Sequence, residues 1–194
     1  MPRHALDSYS TPAHYVEPLL ELIGPLRGQR VYEPCVGQGD IARYLAGAAL
    51  TTNDLDPACP ADTHLDARCL EAWPVRTDWV LCNPPFSDEL PILLHALACA
   101  RNVAVLARLS FLEPTRDRAP VFHLHPPTDL ILLPRYSFRC NDEGKRQTDS
   151  VTCCWLVWRE GQLPCVTFSA WRPNTPATTE TETSAIPPDV SISG

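Results

Sequence analysis

Residues 103–107, Val-Ala-Val-Leu-Ala, contain no polar side chain and no alternation of apolar with polar positions. A strand of this kind must be covered on both faces, so the sheet that holds it needs a layer of structure on either side. The segments around it fit such a sheet. Helical spacing of Leu90, Leu93, Leu94 and Leu97 predicts a helix over 88–100, and Val16, Leu19, Leu20 and Ile23 predict another over 12–24. The second opens on Thr11-Pro12, a cap followed by proline in the first turn, and closes at Gly24-Pro25. Strands are predicted at 30–33, 50–54, 63–66, 78–82, 103–109, 129–133 and 151–158, with a helical run at 41–48. Strands alternating with helices give an α/β fold with a largely parallel sheet, helices on both faces and an antiparallel final strand pair.

With 194 residues and 44% apolar side chains, the chain holds one domain, placed at 1–171. Residues 172–194 are rich in Thr, Glu, Pro and Ser, with little that could form a core, and read as a disordered tail. No internal repeat is present, which excludes solenoids and propellers. The longest apolar runs, 92–100 and 103–107, fall far short of the roughly 20 residues that cross a bilayer. The start, Met1-Pro2-Arg3-His4-Ala5-Leu6-Asp7, lacks the apolar core of a secretory signal, which predicts a cytoplasmic protein with reduced thiols. The nine cysteines show no spacing of the kind structural zinc sites use, so no metal is expected and the thiols read as small buried hydrophobes.

The net charge of −7 argues at first against a nucleic-acid partner. Its distribution argues the other way: residues 1–100 carry 6 basic and 13 acidic groups, whereas 101–146 carry 8 and 5. Positive charge gathered in one stretch suits a protein with one anionic face to dock.

Three features carry chemistry. Glu33 ends the first strand and is followed by Gly37-Gln38-Gly39, a turn that lets backbone approach a ligand closely. It lacks both the third glycine of the dinucleotide fingerprint and the Gly-Lys-Ser/Thr of a triphosphate loop, which favours a nucleoside cofactor without pyrophosphate. Asp54 stands about 21 residues further on at the end of the second strand, where a carboxylate can accept both ribose hydroxyls. Asn83-Pro84-Pro85-Phe86 follows the buried strand 78–82. Successive prolines fix the backbone in extended form and leave the Asn side chain and the adjacent carbonyl as a rigid pair of acceptors. An aromatic amino group is a poor nucleophile because its lone pair is delocalised; two acceptors on its N–H groups help it attack an electrophilic methyl, and Phe86 can stack on its ring.

Glu33-Pro34 with Gly37 and Gly39, then Asp54, then Asn83-Pro84-Pro85-Phe86, in that order, resemble the S-adenosylmethionine-dependent amino methyltransferases. Ser10-Thr11-Pro12, the run Arg108-Leu109-Ser110-Phe111-Leu112-Glu113, and Thr148-Asp149-Ser150-Val151 before Trp155-Leu156-Val157-Trp158 extend the likeness to the small adenine-N6 DNA methyltransferases of phages and prophages. The resemblance spans about residues 8–171 and implies a Rossmann-like class I methyltransferase fold on a seven-stranded sheet. It implies S-adenosyl-L-methionine as cofactor, with Glu33, Gly37 and Gly39 on its methionine and ribose portions and Asp54 on the ribose hydroxyls. Thr11 and Pro12 would border the methionine end, and Asp66 would meet the adenine, with Cys69 as the alternative there. Asn83 and the Pro84 carbonyl would hold the target amino group, with Pro85 stiffening the loop and Phe86 stacking on the base. A separate target-recognition domain is lacking, which leaves 110–125, with Arg116 and Arg118, and 137–149, with Arg139, Lys145 and Arg146, as candidate DNA contacts. Adenine within a duplex would have to be flipped out to react. Adenine in RNA and a protein glutamine are alternative substrates, a non-catalytic cofactor- or DNA-binding regulator is the competing class, and monomer and homodimer remain open.

Overall fold

The computed structural model describes residues 10–134 and 152–168. Its strands are β1 (Arg30–Glu33), β2 (Ala49–Thr52), β3 (Thr77–Cys82), β4 (Ala100–Arg108), β5 (Asp129–Leu132) and β6 (Cys153–Trp158). Its α-helices are α1 (Ala13–Ile23), α2 (Glu89–Cys99) and α3 (Arg118–Leu124). One sheet runs in the order β2-β1-β3-β4-β6-β5. β2, β1, β3 and β4 are parallel, and β6 lies antiparallel between β4 and β5. This is the predicted α/β architecture with its antiparallel end.

The central strands bury both faces, as the unbroken apolar run at 103–107 demands. Trp79, Leu81, Ala104 and Leu106 point to one side, where Tyr15, Val16 and Leu19 of α1 meet Trp155 of β6. Val80, Cys82, Val103, Val105 and Ala107 point to the other, against Ile92, Leu93 and Ala96 of α2 and Phe122 of α3. Trp155 is fully buried, and its indole N–H donates to the Tyr15 carbonyl at 2.6 Å, joining β6 to α1 across most of the chain length. The Tyr15 hydroxyl in turn donates to the Pro134 carbonyl at 2.7 Å.

The structure corrects several expectations. The run 41–48 forms only a 3-10 turn, Ala42–Tyr44, bounded by Gly39 and Gly47, whose φ of 77° and 87° break helical backbone on either side. The strand at 63–66 shrinks to a single parallel bridge, Asn53 to Thr63. The Asn53 carboxamide takes the ladder's place: its oxygen accepts the Leu65 N–H at 2.9 Å and the Thr63 hydroxyl at 2.8 Å, and its NH2 donates to the Leu65 carbonyl at 2.9 Å. The described sheet therefore has six strands rather than seven. Thr11 does not cap α1, whose N-cap is Pro12, because its hydroxyl and amide are engaged elsewhere.

Segment 110–125 is not an open loop. A 3-10 turn, Leu109–Leu112, leads to α3, and Phe111 and Phe122 are buried edge to face with centroids 5.5 Å apart. Cys82, Cys99, Cys153 and Cys154 are buried as expected, whereas Cys69 and Cys165 are exposed. Segment 137–149 and the tail 172–194 lie outside the described residues. Among the described residues no helix is long and apolar enough to cross a membrane.

Trp155→Ala removes the largest fully buried side chain and its bond to α1. It should lower the unfolding free energy by about 3–5 kcal/mol, read as a shift in the urea midpoint at unchanged slope.

Candidate active site

Parallel pairing brings the carboxyl ends of β1, β2, β3 and β4 to one edge of the sheet. Ligands of open α/β sheets bind outside this edge, where the strand order reverses, which here is between β1 and β3. Glu33 with the glycine turn, Asp54 and Asn83–Phe86 follow the ends of β1, β2 and β3 along it.

Glu33 ends β1 and is 1% exposed. The turn after it is held by the Val36 N–H on the Asn53 carbonyl at 3.0 Å and the Gly39 N–H on the Val36 carbonyl at 2.9 Å. Gly37 has φ 54°, a left-handed conformation that disfavours a side chain, and a Cβ built there meets no heavy atom within 4 Å. The space above the turn is thus open to a ligand. Asp54 is buried, and its carboxylate accepts the Gly37 N–H and the Asp56 N–H, each at 2.9 Å, so it fixes the glycine turn from the end of β2. Burial pushes the Glu33 carboxyl well above its ordinary range; the negative charges of Asp40 and Asp54 add to the rise, against a backbone hydrogen bond from Ala42. One Glu33 oxygen, Oε2, is buried with no hydrogen-bond partner.

Asp40 joins this turn to the start of α1. Its carboxylate accepts the Thr11 N–H at 2.9 Å and the Ser10 hydroxyl at 2.6 Å, and it also pairs with Arg43. The Thr11 hydroxyl accepts the Asn83 side-chain N–H at 3.0 Å. Thr11 therefore connects the glycine turn with the Asn-Pro-Pro-Phe loop, and it orients the Asn83 amide by occupying its donor end. Pro12 follows at the helix entrance. Pro84 and Pro85 are buried, and the Pro85 carbonyl accepts the Asp88 N–H at 2.8 Å, closing the loop onto α2.

Phe86 is half-buried, and the Arg108 guanidinium lies over its ring, 4.0 Å from the centroid. Arg108 ends β4; its backbone N–H reaches Oε1 of Glu89, the first residue of α2, at 3.5 Å. Burial pushes Glu89 up to about 7, opposed by the Arg108 amide and the charges of Arg108 and Arg118. The Arg108 Nε is buried without a partner. Among the described residues only this atom and Glu33 Oε2 are so placed, one at the end of β4 and the other at the end of β1.

Asp66 reaches the same edge, but its carboxylate is held by the Arg68 guanidinium at 2.6–3.2 Å, and Arg68 also approaches Asp88 at 3.7 Å. Of the predicted DNA contacts, Arg116 is exposed. Arg118 is committed internally: its guanidinium donates to the Ser110 and Phe111 carbonyls at 2.8 Å and to the Thr115 hydroxyl at 3.1 Å. It braces the turn after β4. Arg139, Lys145 and Arg146 lie outside the described residues.

Sequence reasoning gave no individual role to Asn53, Asp40, Arg108 or Glu89. Two of these carried a usable signal, since Arg108 is a charge terminating an apolar strand and Glu89 is an acid within three residues of Phe86.

No protein-family model matches the chain, and no curated protein matches it by sequence. Its fold does have solved counterparts. A candidate RNA methyltransferase of Pyrococcus horikoshii superposes with a TM-score of 0.63 at 18% identity, covering 82% of this chain and 91% of the other. The type I restriction-modification methyltransferase subunit of Streptococcus thermophilus gives 0.60 at 14%, covering 80% of this chain and 45% of the other. The 23S rRNA methyltransferase ErmE gives 0.55 at 15%, covering 81% and 72%. The protein thus has the class I methyltransferase fold.

A carboxyl whose ionisation is opposed by the folded state stabilises the protein at low pH, and that contribution is lost as pH rises through its folded value. Glu33→Gln should therefore melt increasingly above the unmodified protein as pH is raised from 4 to 8, measured by calorimetry.

Proposed function

We propose that this protein is an S-adenosylmethionine-dependent methyltransferase acting on N6 of adenine in DNA, with the target base flipped into the Asn83–Phe86 loop. The observation that carries this reading is the position of that loop: it leaves the carboxyl end of β3, next to the end of β1 that bears the buried Glu33, and Thr11 ties it to the glycine turn.

The residues fit the cofactor. The partnerless Glu33 oxygen offers an acceptor, and the charges of Asp40 and Asp54, close enough to oppose its ionisation, make a negative surround suited to an α-ammonium and a sulfonium. Gly37 and Gly39 would give it close backbone approach, Asp54 would hold the ribose hydroxyls, and Thr11 and Pro12 would border the methionine end. Asp66 would face the adenine with its carboxylate already set by Arg68. When bound, S-adenosylmethionine supplies an electrophilic methyl group.

The remaining work falls to the chain. The Asn83 side-chain oxygen and the Pro84 carbonyl accept the two N–H groups of the adenine amine, turning its lone pair toward the methyl. Both bonds strengthen as positive charge develops on nitrogen, so they favour the transition state over the bound substrate. The prolines keep the acceptors in place without rearrangement, and Phe86 holds the ring plane. Arg116, with Arg139, Lys145 and Arg146, would contact phosphates flanking the flipped base.

Transfer of labelled methyl should appear in N6-methyladenine of unmethylated duplex DNA, and Asn83→Ala should reduce it by about 100- to 1000-fold while cofactor affinity stays within a few-fold. Label confined to RNA or to protein glutamine would move the substrate, and cofactor binding without transfer to any of them would make the protein a regulator.

A further inference from the structure

Phe86, Glu89 and Arg108 close a small ring of contacts behind the Asn-Pro-Pro-Phe loop. The chain itself links Phe86 to Glu89 at the start of α2, the Glu89 carboxyl holds the Arg108 backbone at the end of β4, and the Arg108 guanidinium returns to the Phe86 ring. A guanidinium over an aromatic face at this distance is attracted by the negative face of the ring, more strongly as water is excluded, and so resists displacement of the ring beneath it. The Arg108 Nε is buried in this ring, with no protein acceptor within hydrogen-bond reach. A buried donor left without a bond is destabilising, so this arrangement is not one that stability alone would favour.

We propose that Arg108 is a positioning residue for the acceptor base, holding the Phe86 ring in its stacking orientation, with Glu89 fixing Arg108. This rests on the methyltransferase reading and adds to it a determinant of substrate binding that is separate from the cofactor half of the crevice. Glu33, Asp40 and Asp54 belong to the end of β1 and the turns after β1 and β2, whereas Arg108 and Glu89 belong to β4 and α2. Loss of Arg108 should therefore weaken acceptor binding and leave cofactor binding alone.

Glu89 makes the brace sensitive to pH. The charged and titratable groups that face it are Arg108 from β4, Arg118 from α3 and Cys154 from β6. The Cys154 thiol is itself pushed up to about 12 by burial and is neutral near pH 7. Ionisation of Glu89 thus adds a negative charge opposite two arginines, which strengthens the hold on Arg108. In the unmodified protein KM for the oligonucleotide should fall as pH rises through about 7. Glu89→Gln keeps an acceptor for the Arg108 N–H but cannot ionise, and that fall should disappear.

The test is steady-state methyl transfer to adenine-containing duplex and single-stranded oligonucleotides, with cofactor affinity measured by calorimetry on the same preparations. Arg108→Ala should raise KM for the oligonucleotide about 10-fold or more with the cofactor Kd within two-fold. Arg108→Lys, which keeps the charge without the planar stack, should fall between. In a Phe86→Leu background Arg108→Ala should have little further effect, because Arg108 acts through that ring. An unchanged KM in Arg108→Ala, or additive losses in the double variant, overturns the positioning role while leaving the methyltransferase reading intact. A parallel rise in cofactor Kd also overturns it, since that is the mark of general loosening. If the unmodified protein binds cofactor but transfers no methyl group to any oligonucleotide, the broader reading fails and this one with it.

Discussion

Everything chemical in this protein stands where it does because β1 pairs with β3 in parallel, Val31 beside Trp79 and Tyr32 beside Val80. That register sets the last residue of β1 level with the end of β3, so the buried carboxyl of Glu33 and the loop beginning at Asn83 emerge together. A single-residue slip would turn Glu33 out of the sheet face it occupies and exchange the apolar sets on the two sides. Burial on both faces prevents the slip: Trp79 and Leu81 are committed to one core and Val80 and Cys82 to the other.

Short polar ties then fix the loops that the sheet only aims. Thr11 is the most economical of them, since one residue engages Asp40 through its amide and Asn83 through its hydroxyl. Asp54 does the same between the glycine turn and its own following turn. Against this background of satisfied groups, Glu33 Oε2 and Arg108 Nε stand out as the described side-chain atoms that the fold buries and leaves unpaired. Most buried polar atoms in native structures are hydrogen-bonded, and these two lie at the ends of β1 and β4, on either side of β3.

The strands and the two long helices were legible because apolar periodicity reflects burial directly. β3, β4 and α2 could be located to within a few residues from Trp79 to Cys82, Val103 to Ala107 and the leucines of 90–97. Local pattern failed where a side chain did the work of backbone. Nothing in the spacing of Thr63 to Asp66 shows that Asn53 would take over the Leu65 amide and carbonyl, or that Thr11 would turn away from its helix to meet a residue more than seventy positions distant. The burial of Phe111 and Phe122 is hidden for the opposite reason: the arginines around them give the segment a polar look, although Arg118 donates to the turn beneath it. The order of Glu33, Asp54 and Asn83 along the chain was readable, and the contacts that unite them were not, because each spans strands far apart in sequence.

With the strand at 63–66 reduced to one bridge, β2 is left at the sheet edge with Ala49 and Thr51 exposed. Of the parallel strands it has the least apolar cover, and local opening starts where cover is thinnest. Yet β2 leads directly into Asn53 and Asp54, the residues that hold the glycine turn. Amide protons along β2 should then exchange with solvent before those of β3 and β4, and any molecule that settles against Asp54 would draw its binding energy partly through that edge. Occupancy of the crevice becomes a matter of slowed breathing at one margin of the sheet, with the two-faced centre hardly involved.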